Sequence, residues 1–254
     1  MKTILITGGR SGIIKKVISK VKDNYNIYIT VHTNSELKAV KKLYGKYNNI
    51  KCFKLDVTDH NDLNKLSKLK IDILICNAAV MESGSILDIP FENVKRCFET
   101  NYFSVIKIVR KVIKDDLKII VMSSLASSIP IPFDGVYSSS KAALSHVMRC
   151  FNLECKLTEK KVSVTVIEPG LYMTGFNEYG FEKKYEFMDI ESFFKDKIDM
   201  IKRYDNIVLK ILQSKRFNSI TKKIVKAIES ENPKMFYRAP FIQVLFAKLY
   251  IFFS

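Results

Sequence analysis

The chain has 254 residues, of which 47% are hydrophobic, and it carries a formal net charge of +16. A chain of this length and composition can bury the core of a full α/β domain, which argues against an extensively disordered protein. No charged and then apolar leader precedes the first apolar run, so we expect no secretory signal, and the apolar stretch at 239–253 is too short for a bilayer span of about 20 residues.

The positive charge is distributed over many predicted helix faces rather than gathered in one basic stripe. This pattern favours a lysine-rich solvated surface, and we expect no specific binding of nucleic acid. The cysteines form no C-x-x-C pair, which favours a reduced, cytoplasmic compartment with neither a disulfide framework nor a metal site. They are Cys52, Cys76, Cys97, Cys150 and Cys155.

Strand and helix patterns alternate along the first two thirds of the chain. The short, β-branched apolar runs predict strands at 2–7, 26–31, 50–55, 71–76, 117–122 and 162–167. The segments between them have helical periodicity, roughly at 12–22, 35–46, 59–68, 90–113 and 137–159. Strands that are apolar on both faces and alternate with helices predict a Rossmann-like, doubly wound parallel sheet, with residues 1–254 as a single domain.

The pattern changes after the sixth strand. Residues 171–205 are rich in aromatic side chains, and a loop leaving the carboxyl end of such a strand borders the ligand crevice. We therefore interpret 171–210 as a substrate-covering segment. A helical hairpin that packs its aromatic side chains into the core is an equally good reading, and the two are compatible.

The last segment, 239–254, is unusually apolar. "KMFYR" (234–238) predicts a last edge strand, and the residues after it predict a short helix. This helix either packs over the substrate site or a subunit interface, or lies in a membrane surface.

A glycine-containing loop, "TGGRSGII", follows the first predicted strand. Thr7, Gly8 and Gly12 fit a turn whose backbone N–H groups approach a pyrophosphate at the start of a helix. Ile14 stands where such a loop would have a third glycine. An isoleucine there is expected to push the first helix outward or redirect the loop, and Ile14→Gly is then expected to tighten cofactor binding.

A second pattern, "YSSSK", places Tyr137 and Lys141 four residues apart on one face of a predicted helix. A neighbouring ammonium is expected to lower the pKa of the tyrosine and to make it a better acid or base near neutral pH. Ser124 stands 13 residues before Tyr137, at the carboxyl end of the fifth predicted strand.

Together these motifs resemble the short-chain dehydrogenase/reductase family over nearly the whole chain. The family pattern combines a T-G-x-x-x-G-x-G loop, an N-A-G triplet, a helix-borne Asn, a Ser before Y-x-x-x-K, and a P-G before the substrate loop. The matching residues here are Thr7, Gly8, Gly12, Asn77, Ala78, Asn101, Ser124, Tyr137, Lys141, Pro169, Gly170 and Thr174, with Asp56 at the position of an acid that contacts adenine.

The resemblance implies a role for each matched residue. Tyr137 would be the general acid/base, Lys141 would hold the nicotinamide ribose, and Ser124 would hydrogen-bond the substrate carbonyl. Asn101 would position a water in the proton relay. The expected cofactor-binding residues are Thr7, Gly8, Arg10, Ser11, Gly12, Ile13, His32, Asp56, Val57, Asn77, Ala78, Tyr137, Lys141, Pro169, Gly170 and Thr174.

The end of the second strand, "VHTNSE", indicates which nicotinamide the resemblance implies. It offers no acid at the strand tip for a ribose 2′-hydroxyl, and we place Glu36 inside the next helix with Asn34 or Ser35 as its cap. Arg10 could reach a 2′-phosphate. NADP(H) is therefore favoured and NAD(H) is kept as the alternative.

The resemblance implies an oxidoreductase that interconverts a carbonyl and an alcohol, on a bulky apolar substrate, in a homodimer or homotetramer. A non-catalytic cofactor sensor or scaffold on the same fold is the rival hypothesis, and the substitution at Ile14 motivates it.

Overall fold

The computed structural model describes residues 1–188 and 191–253. In this part of the chain, seven parallel strands form one sheet in the order β3-β2-β1-β4-β5-β6-β7. The strands are β1 (Thr3–Ile6), β2 (Asn26–Val31), β3 (Ile50–Lys54), β4 (Ile73–Cys76), β5 (Lys118–Met122), β6 (Ser163–Pro169) and β7 (Phe236–Ala239). The predicted Rossmann-like parallel sheet is confirmed.

Helices connect the strands and cover both faces of the sheet. They are α1 (Gly12–Val21), α2 (Asn34–Tyr44), α3 (His60–Asn64), α4 (Phe91–Phe98), α5 (Ser104–Val112), α6 (Gly135–Cys155), α7 (Phe176–Lys183), α8 (Ile198–Leu212), α9 (Asn218–Glu229) and α10 (Phe241–Phe253).

The apolar side chains of the strands pack into two separate cores, one on each face of the sheet. In β1, Ile4 and Ile6 point to the face covered by α1 and α9, whereas Leu5 points to the face covered by α5 and α6. Successive side chains of a strand point to opposite faces, so a strand that is buried on both sides must be apolar throughout. This explains why the strands read as continuous apolar runs.

The strand order reverses beside β1, since β2 lies on one side of it and β4 on the other. The helices that follow β1 and β4 leave toward opposite faces and open a crevice at the carboxyl ends of the strands. Loops from six neighbouring strands, β1 to β6, border this crevice, and the candidate site lies there.

Three predicted helices differ in detail from the structure. The helix predicted at 90–113 is α4 and α5 joined by a π-helical turn, Glu99–Phe103, and the helix predicted at 59–68 is the short α3 followed by a 3₁₀ turn. The N-cap of α2 is Thr33, not Asn34 or Ser35. Thr33 caps the helix because its side chain accepts the Glu36 N–H while the Glu36 carboxylate accepts the Thr33 N–H, which together form a capping box.

The segment predicted at 171–210 contains α7, two 3₁₀ turns and most of α8, so much of it is helical rather than irregular. Residues 189 and 190 lie outside the described part. The predicted edge strand at 234–238 is β7, and α10 follows it. None of the helices in the described part of the chain is long and apolar enough to cross a bilayer.

Candidate active site

A cavity of about 980 Å³ runs along the carboxyl edge of the sheet, from the end of β3 to α6 and α7. It brings most of the predicted site residues together. Those that line it are Gly8, Arg10, Ser11, Ile13, His32, Asp56, Val57, Asn77, Ala78, Ser124, Tyr137, Lys141, Pro169, Gly170 and Thr174.

The loop after β1 is shaped by one close approach. Gly8 has a φ of +66°, and a Cβ placed there would lie 2.8 Å from the Cα of Ala78. The Asn77 side chain donates to the carbonyl oxygens of Thr7 (3.2 Å) and Gly8 (2.8 Å). Only glycine fits at position 8, because any side chain would be strained and would push the loop off the end of β4.

Thr7 and Gly12 do not line the cavity, but they support the loop. The Thr7 hydroxyl accepts the N–H groups of Asn77 (3.0 Å) and Ala78 (3.1 Å), which ties β1 to the loop after β4. Gly12 is the first residue of α1, and Ser11 at the N-cap makes no side-chain capping bond. The N–H groups of this first turn, with the positive end of the helix dipole, therefore suit a phosphate.

Ile14 is fully buried (0% exposed) in the core between α1 and the sheet and does not line the cavity. Its neighbour Ile13 does. The expectation that Ile14 redirects the loop is not supported, because its side chain points into the apolar core. There it fills the volume that a glycine would leave empty.

Polar side chains gather at the far end of the cavity, beyond β2 and β3. The His32 ring lies 3.2 Å from an Asp56 carboxylate oxygen, and Thr58 donates to the other oxygen through its N–H and its hydroxyl. Desolvation opposes ionisation of Asp56, but the Thr58 hydrogen bonds and His32 outweigh it and lower the pKa of this carboxyl. Asp56 is therefore an ionised acceptor at neutral pH.

Glu36 also lines this end of the cavity, so the expectation that no acid lies at the tip of the second strand is wrong. The capping box turns its carboxylate back over the strand end, where one oxygen accepts the His32 N–H (3.1 Å) and the other faces the Arg10 guanidinium at 3.4 Å. The signal was present in the sequence as T-x-x-E over residues 33–36, the pattern of a capping box. Arg10 remains 67% exposed on its side chain, so most of its donors face solvent or ligand.

Tyr137 and Ser124 meet at the other end, beside α6. The Ser124 hydroxyl also accepts the Ala126 N–H (3.1 Å), and the ring of Phe176 from α7 lies 5.9 Å from the Tyr137 ring. Burial raises the pKa of Tyr137, and the carboxyl of Asp134 adds to this, while the bond from Ser124 opposes it. The phenol therefore carries its proton at neutral pH.

Lys141 lies one helical turn after Tyr137 and is almost fully buried (3% exposed). Its ammonium donates to the carbonyl oxygen of Met122 (2.9 Å) and lies 5.8 Å from the Tyr137 ring centroid. The expected net lowering of the pKa of Tyr137 beside Lys141 is not found in the chain alone. Desolvation dominates both groups, because it raises the pKa of the phenol and lowers the pKa of Lys141 to about 8.

Asn101 lies in the π-helical turn, fully buried and behind the cavity wall. Its side chain accepts the Val80 N–H and donates to the Val80 carbonyl, both at 2.9 Å, and also reaches the Ser140 hydroxyl at 3.0 Å. These contacts hold the chain after Ala79 against α6. Asn101 is thus a positioning residue here, and its part in a proton relay stays a prediction.

A buried polar cluster that the sequence did not reveal underlies the segment after β6. Lys184 (2% exposed) forms an ion pair with Asp205 of α8 at 2.7 Å, and the Tyr185 hydroxyl donates to the same carboxylate. Asp134, just before α6, accepts the Ser83 hydroxyl at 2.8 Å, and burial raises its pKa to about 7. No local motif marks these residues, since each depends on a partner distant in the chain.

The wall beside Tyr137 contains further side chains without a sequence signal. Phe176, Asn177 and Tyr179 come from the start of α7, and Arg96 and Glu99 come from α4 and the π-helical turn. Arg96 also binds the buried carboxylate of Glu82 with two nitrogens. Among the described residues, no group of three or more His, Cys, Asp or Glu side chains is placed to hold a metal ion.

The model of the family "short chain dehydrogenase" matches residues 2–184, which cover β1 to β6, the loop after β1 and α6. The chain is 29% identical over 186 residues to YusZ, an uncharacterised oxidoreductase of Bacillus subtilis. The match covers 68% of this chain and 66% of that relative, so the chain spans somewhat less than two thirds of its length.

Solved structures of the same fold resemble the chain over nearly all its length. A short-chain dehydrogenase/reductase from Burkholderia phymatum in complex with NAD has a TM-score of 0.80 at 16% identity, and covers 98% of this chain and 92% of its own. ElxO with NADP bound has a TM-score of 0.73 at 20% identity, with 95% and 99% covered. The matched family model and the site at the switch point of the sheet together show that the chain belongs to the short-chain dehydrogenase family of oxidoreductases.

Proposed function

We propose that the protein is an NADP(H)-preferring oxidoreductase that interconverts a carbonyl and an alcohol, with Tyr137 as the general acid/base. One observation carries this proposal. A buried, protonated phenol, a hydrogen-bonded serine hydroxyl and a buried lysine lie together at the cavity end, beside the loop after β5.

The cavity suits a dinucleotide along the edge of the sheet. Gly8 allows close approach of the backbone, the uncapped first turn of α1 offers N–H donors to phosphates, and Asp56 is an ionised acceptor at the adenosine end. Asn77 and Thr174 would border the nicotinamide half. When bound, the nicotinamide supplies or accepts the hydride.

The chain's own groups manage the proton. In the reducing direction, Tyr137 gives its phenolic proton to the substrate oxygen, and Ser124 donates a hydrogen bond to that oxygen as negative charge develops. The phenolate left behind is buried, so it needs a nearby positive charge. Lys141, whose pKa is about 8, is largely protonated at neutral pH and can supply that charge.

The substrate-covering role of 171–210 rests on α7. Phe176 and Tyr179 bring aromatic walls to the cavity beside Tyr137, and Val80 faces it from the loop after β4. An apolar wall next to the proton donor favours a bulky apolar carbonyl compound as substrate.

The decisive experiment is Tyr137→Phe, assayed by NADPH oxidation with a panel of ketones and aldehydes. We expect loss of turnover with cofactor binding retained, since only the proton donor is removed. Tyr179→Phe, which deletes a hydroxyl from the same cavity, serves as the matched control and should keep its activity. Turnover that survives in the Tyr137 variant would sink the mechanism.

The preference for NADP(H) rests on Arg10, whose donors are mostly exposed at the cavity end. We expect Arg10→Ala to lower kcat/KM for NADPH about tenfold, the effect of one charge-assisted hydrogen bond, and to leave NADH within about twofold. Lys16→Ala, an exposed cation on α1, is the control. An equal loss with both cofactors would assign the preference to other residues.

The rival hypothesis is a non-catalytic sensor or scaffold, and it was based on Ile14. Ile14 lies in the core rather than in the cavity, so it no longer supports that hypothesis. Calorimetry with NADPH and NADH distinguishes the two. Binding without turnover on any carbonyl would favour the sensor, and absence of binding would remove the enzyme hypothesis.

A homodimer or homotetramer in the cytoplasm completes the proposal. Exposed apolar side chains on α4, the π-helical turn and α6 support self-association, namely Phe91, Phe103 and Leu153. Light scattering across a range of protein concentrations tests the assembly state.

A further inference from the structure

The last helix exposes an unusual amount of apolar surface. Nine large apolar side chains of the 13-residue α10 are exposed, among them Phe246 at 57% and Phe252 at 80%, and only Ala247 is buried. Folded proteins rarely leave a contiguous apolar surface of this kind in water, so it marks a place of interaction.

A second exposed apolar stripe lies on α8. Met200, Tyr204, Ile207 and Ile211 follow one another at intervals of four, three and four residues, which places them along one side of the helix. We call these four side chains and the exposed side chains of α10 the C-terminal apolar surface.

Gln243 joins the two parts of this surface. From the first turn of α10, its side chain donates to the Leu212 carbonyl at the end of α8 (2.6 Å) and accepts the Leu171 N–H (2.7 Å). Ile211 and Ile242, both exposed, flank this junction. Leu171 directly follows Gly170 of the cavity wall, so the surface and the candidate site share a loop.

The charge of this region points to an anionic partner. Residues 198–254, from the start of α8, contain eleven lysines and arginines and four acidic residues, a net charge of +7 against +16 for the whole chain. One of the acids, Asp205, is buried in its ion pair with Lys184. A second copy of the same surface would bring like charges together, whereas an anionic lipid surface would attract them.

We propose that the C-terminal apolar surface docks the protein on a bilayer that contains anionic lipids. The apolar side chains of α10 enter the boundary between headgroups and acyl chains, with the helix in the plane of the membrane. The exposed cations of α8 and α10, namely Lys202, Arg203, Lys210 and Lys248, contact the anionic headgroups. Docking deepens the proposed function, because it sets the cavity beside a source of apolar substrate, but the binding itself is measured without turnover.

Vesicle co-sedimentation of the full chain tests the proposal. We expect binding to vesicles of phosphatidylcholine with an equal part of phosphatidylserine, weaker binding to phosphatidylcholine alone, and release by added salt. Phe246→Ser with Phe252→Ser should weaken the partition coefficient by about tenfold or more, because two large side chains no longer leave water.

The matched control replaces exposed apolar residues outside this surface, Ile86 (84% exposed) and Leu157 (88% exposed), by serine. It should bind as the wild type does, and all variants should keep the wild-type melting temperature. Failure of the wild type to bind anionic vesicles, or equal binding by the Phe246/Phe252 variant, overturns the proposal. Self-association that this variant abolishes, without vesicle binding, assigns the surface to a second copy instead, and none of these outcomes affects turnover of a water-soluble carbonyl.

Discussion

Ile14 offers the sharpest test of how the cofactor loop and the core are connected. It is the third residue of α1, its side chain is 0% exposed, and it belongs to the core between α1 and the sheet. Truncating a buried isoleucine to alanine lowers the free energy of unfolding by about 2–5 kcal/mol. Ile14→Gly adds about 1 kcal/mol for glycine within a helix, for a total of about 3–6 kcal/mol.

A loss of this size is a large part of the stability of an ordinary domain, about 5–15 kcal/mol. Urea unfolding followed by far-UV circular dichroism measures it, and calorimetry with NADPH on the folded variants measures affinity. We expect Ile14→Ala and Ile14→Gly to lose stability but to bind NADPH within about twofold of the wild type once folded, because the side chain does not line the cavity.

Lys16→Ala, on the exposed side of α1, is the matched control and should change stability by less than about 0.5 kcal/mol. An unchanged urea midpoint for Ile14→Gly, together with tighter NADPH binding, would refute this account. It would restore the view that the isoleucine holds the loop away from the cofactor.

Three further predictions concern buried polar groups and a helix cap. The pKa of Lys141 in the folded chain, about 8, lies below the 10.5 of an unfolded lysine, so the unfolded state binds more protons between these two pH values. The stability of the wild type should therefore rise with pH through this window, relative to Lys141→Met, by up to about 3 kcal/mol in urea unfolding. Parallel pH profiles for the two proteins would contradict this prediction. Asp205→Asn removes the partner of the buried Lys184 and should lower the free energy of unfolding by about 3–5 kcal/mol. Adding Lys184→Met should restore part of this loss, and Asp199→Asn, at an exposed position, is the control. Equal stabilities for the two asparagine variants would show that the ion pair contributes nothing. Thr33→Ala should lose about 1 kcal/mol in thermal unfolding and Asn34→Ala clearly less, and the reverse order would return the cap of α2 to Asn34.

The sheet and the placement of Tyr137 beside Lys141 could be predicted because their signals are local. Apolar runs on both faces of each strand predict a buried parallel sheet, and the interval from Tyr137 to Lys141 places both on one side of α6. The cap of α2 was also readable, but Asn34 and Ser35 offered competing caps, and only the reciprocal bond to Glu36 decides for Thr33.

The remaining features depend on contacts that bring distant parts of the chain together. Burial and Asp134 raise the pKa of Tyr137, so the net lowering that the sequence suggested is not found, and burial is a property of the whole fold. The same holds for Lys184 with Asp205 and for Arg96 with Glu82, which are 21 and 14 residues apart and belong to no motif.

The polar cluster around Lys184 has a consequence for how ligands enter and leave. The sheet is held by two apolar cores, whereas Lys184, just after α7, pairs with Asp205 of α8, and Gln213, just after α8, donates to Glu178 of α7. We therefore expect the segment from α7 to α8 to open locally without unfolding of the strands. Amide hydrogens of α7 and α8 should then exchange with solvent at a lower free energy of opening than those of β1 and β4.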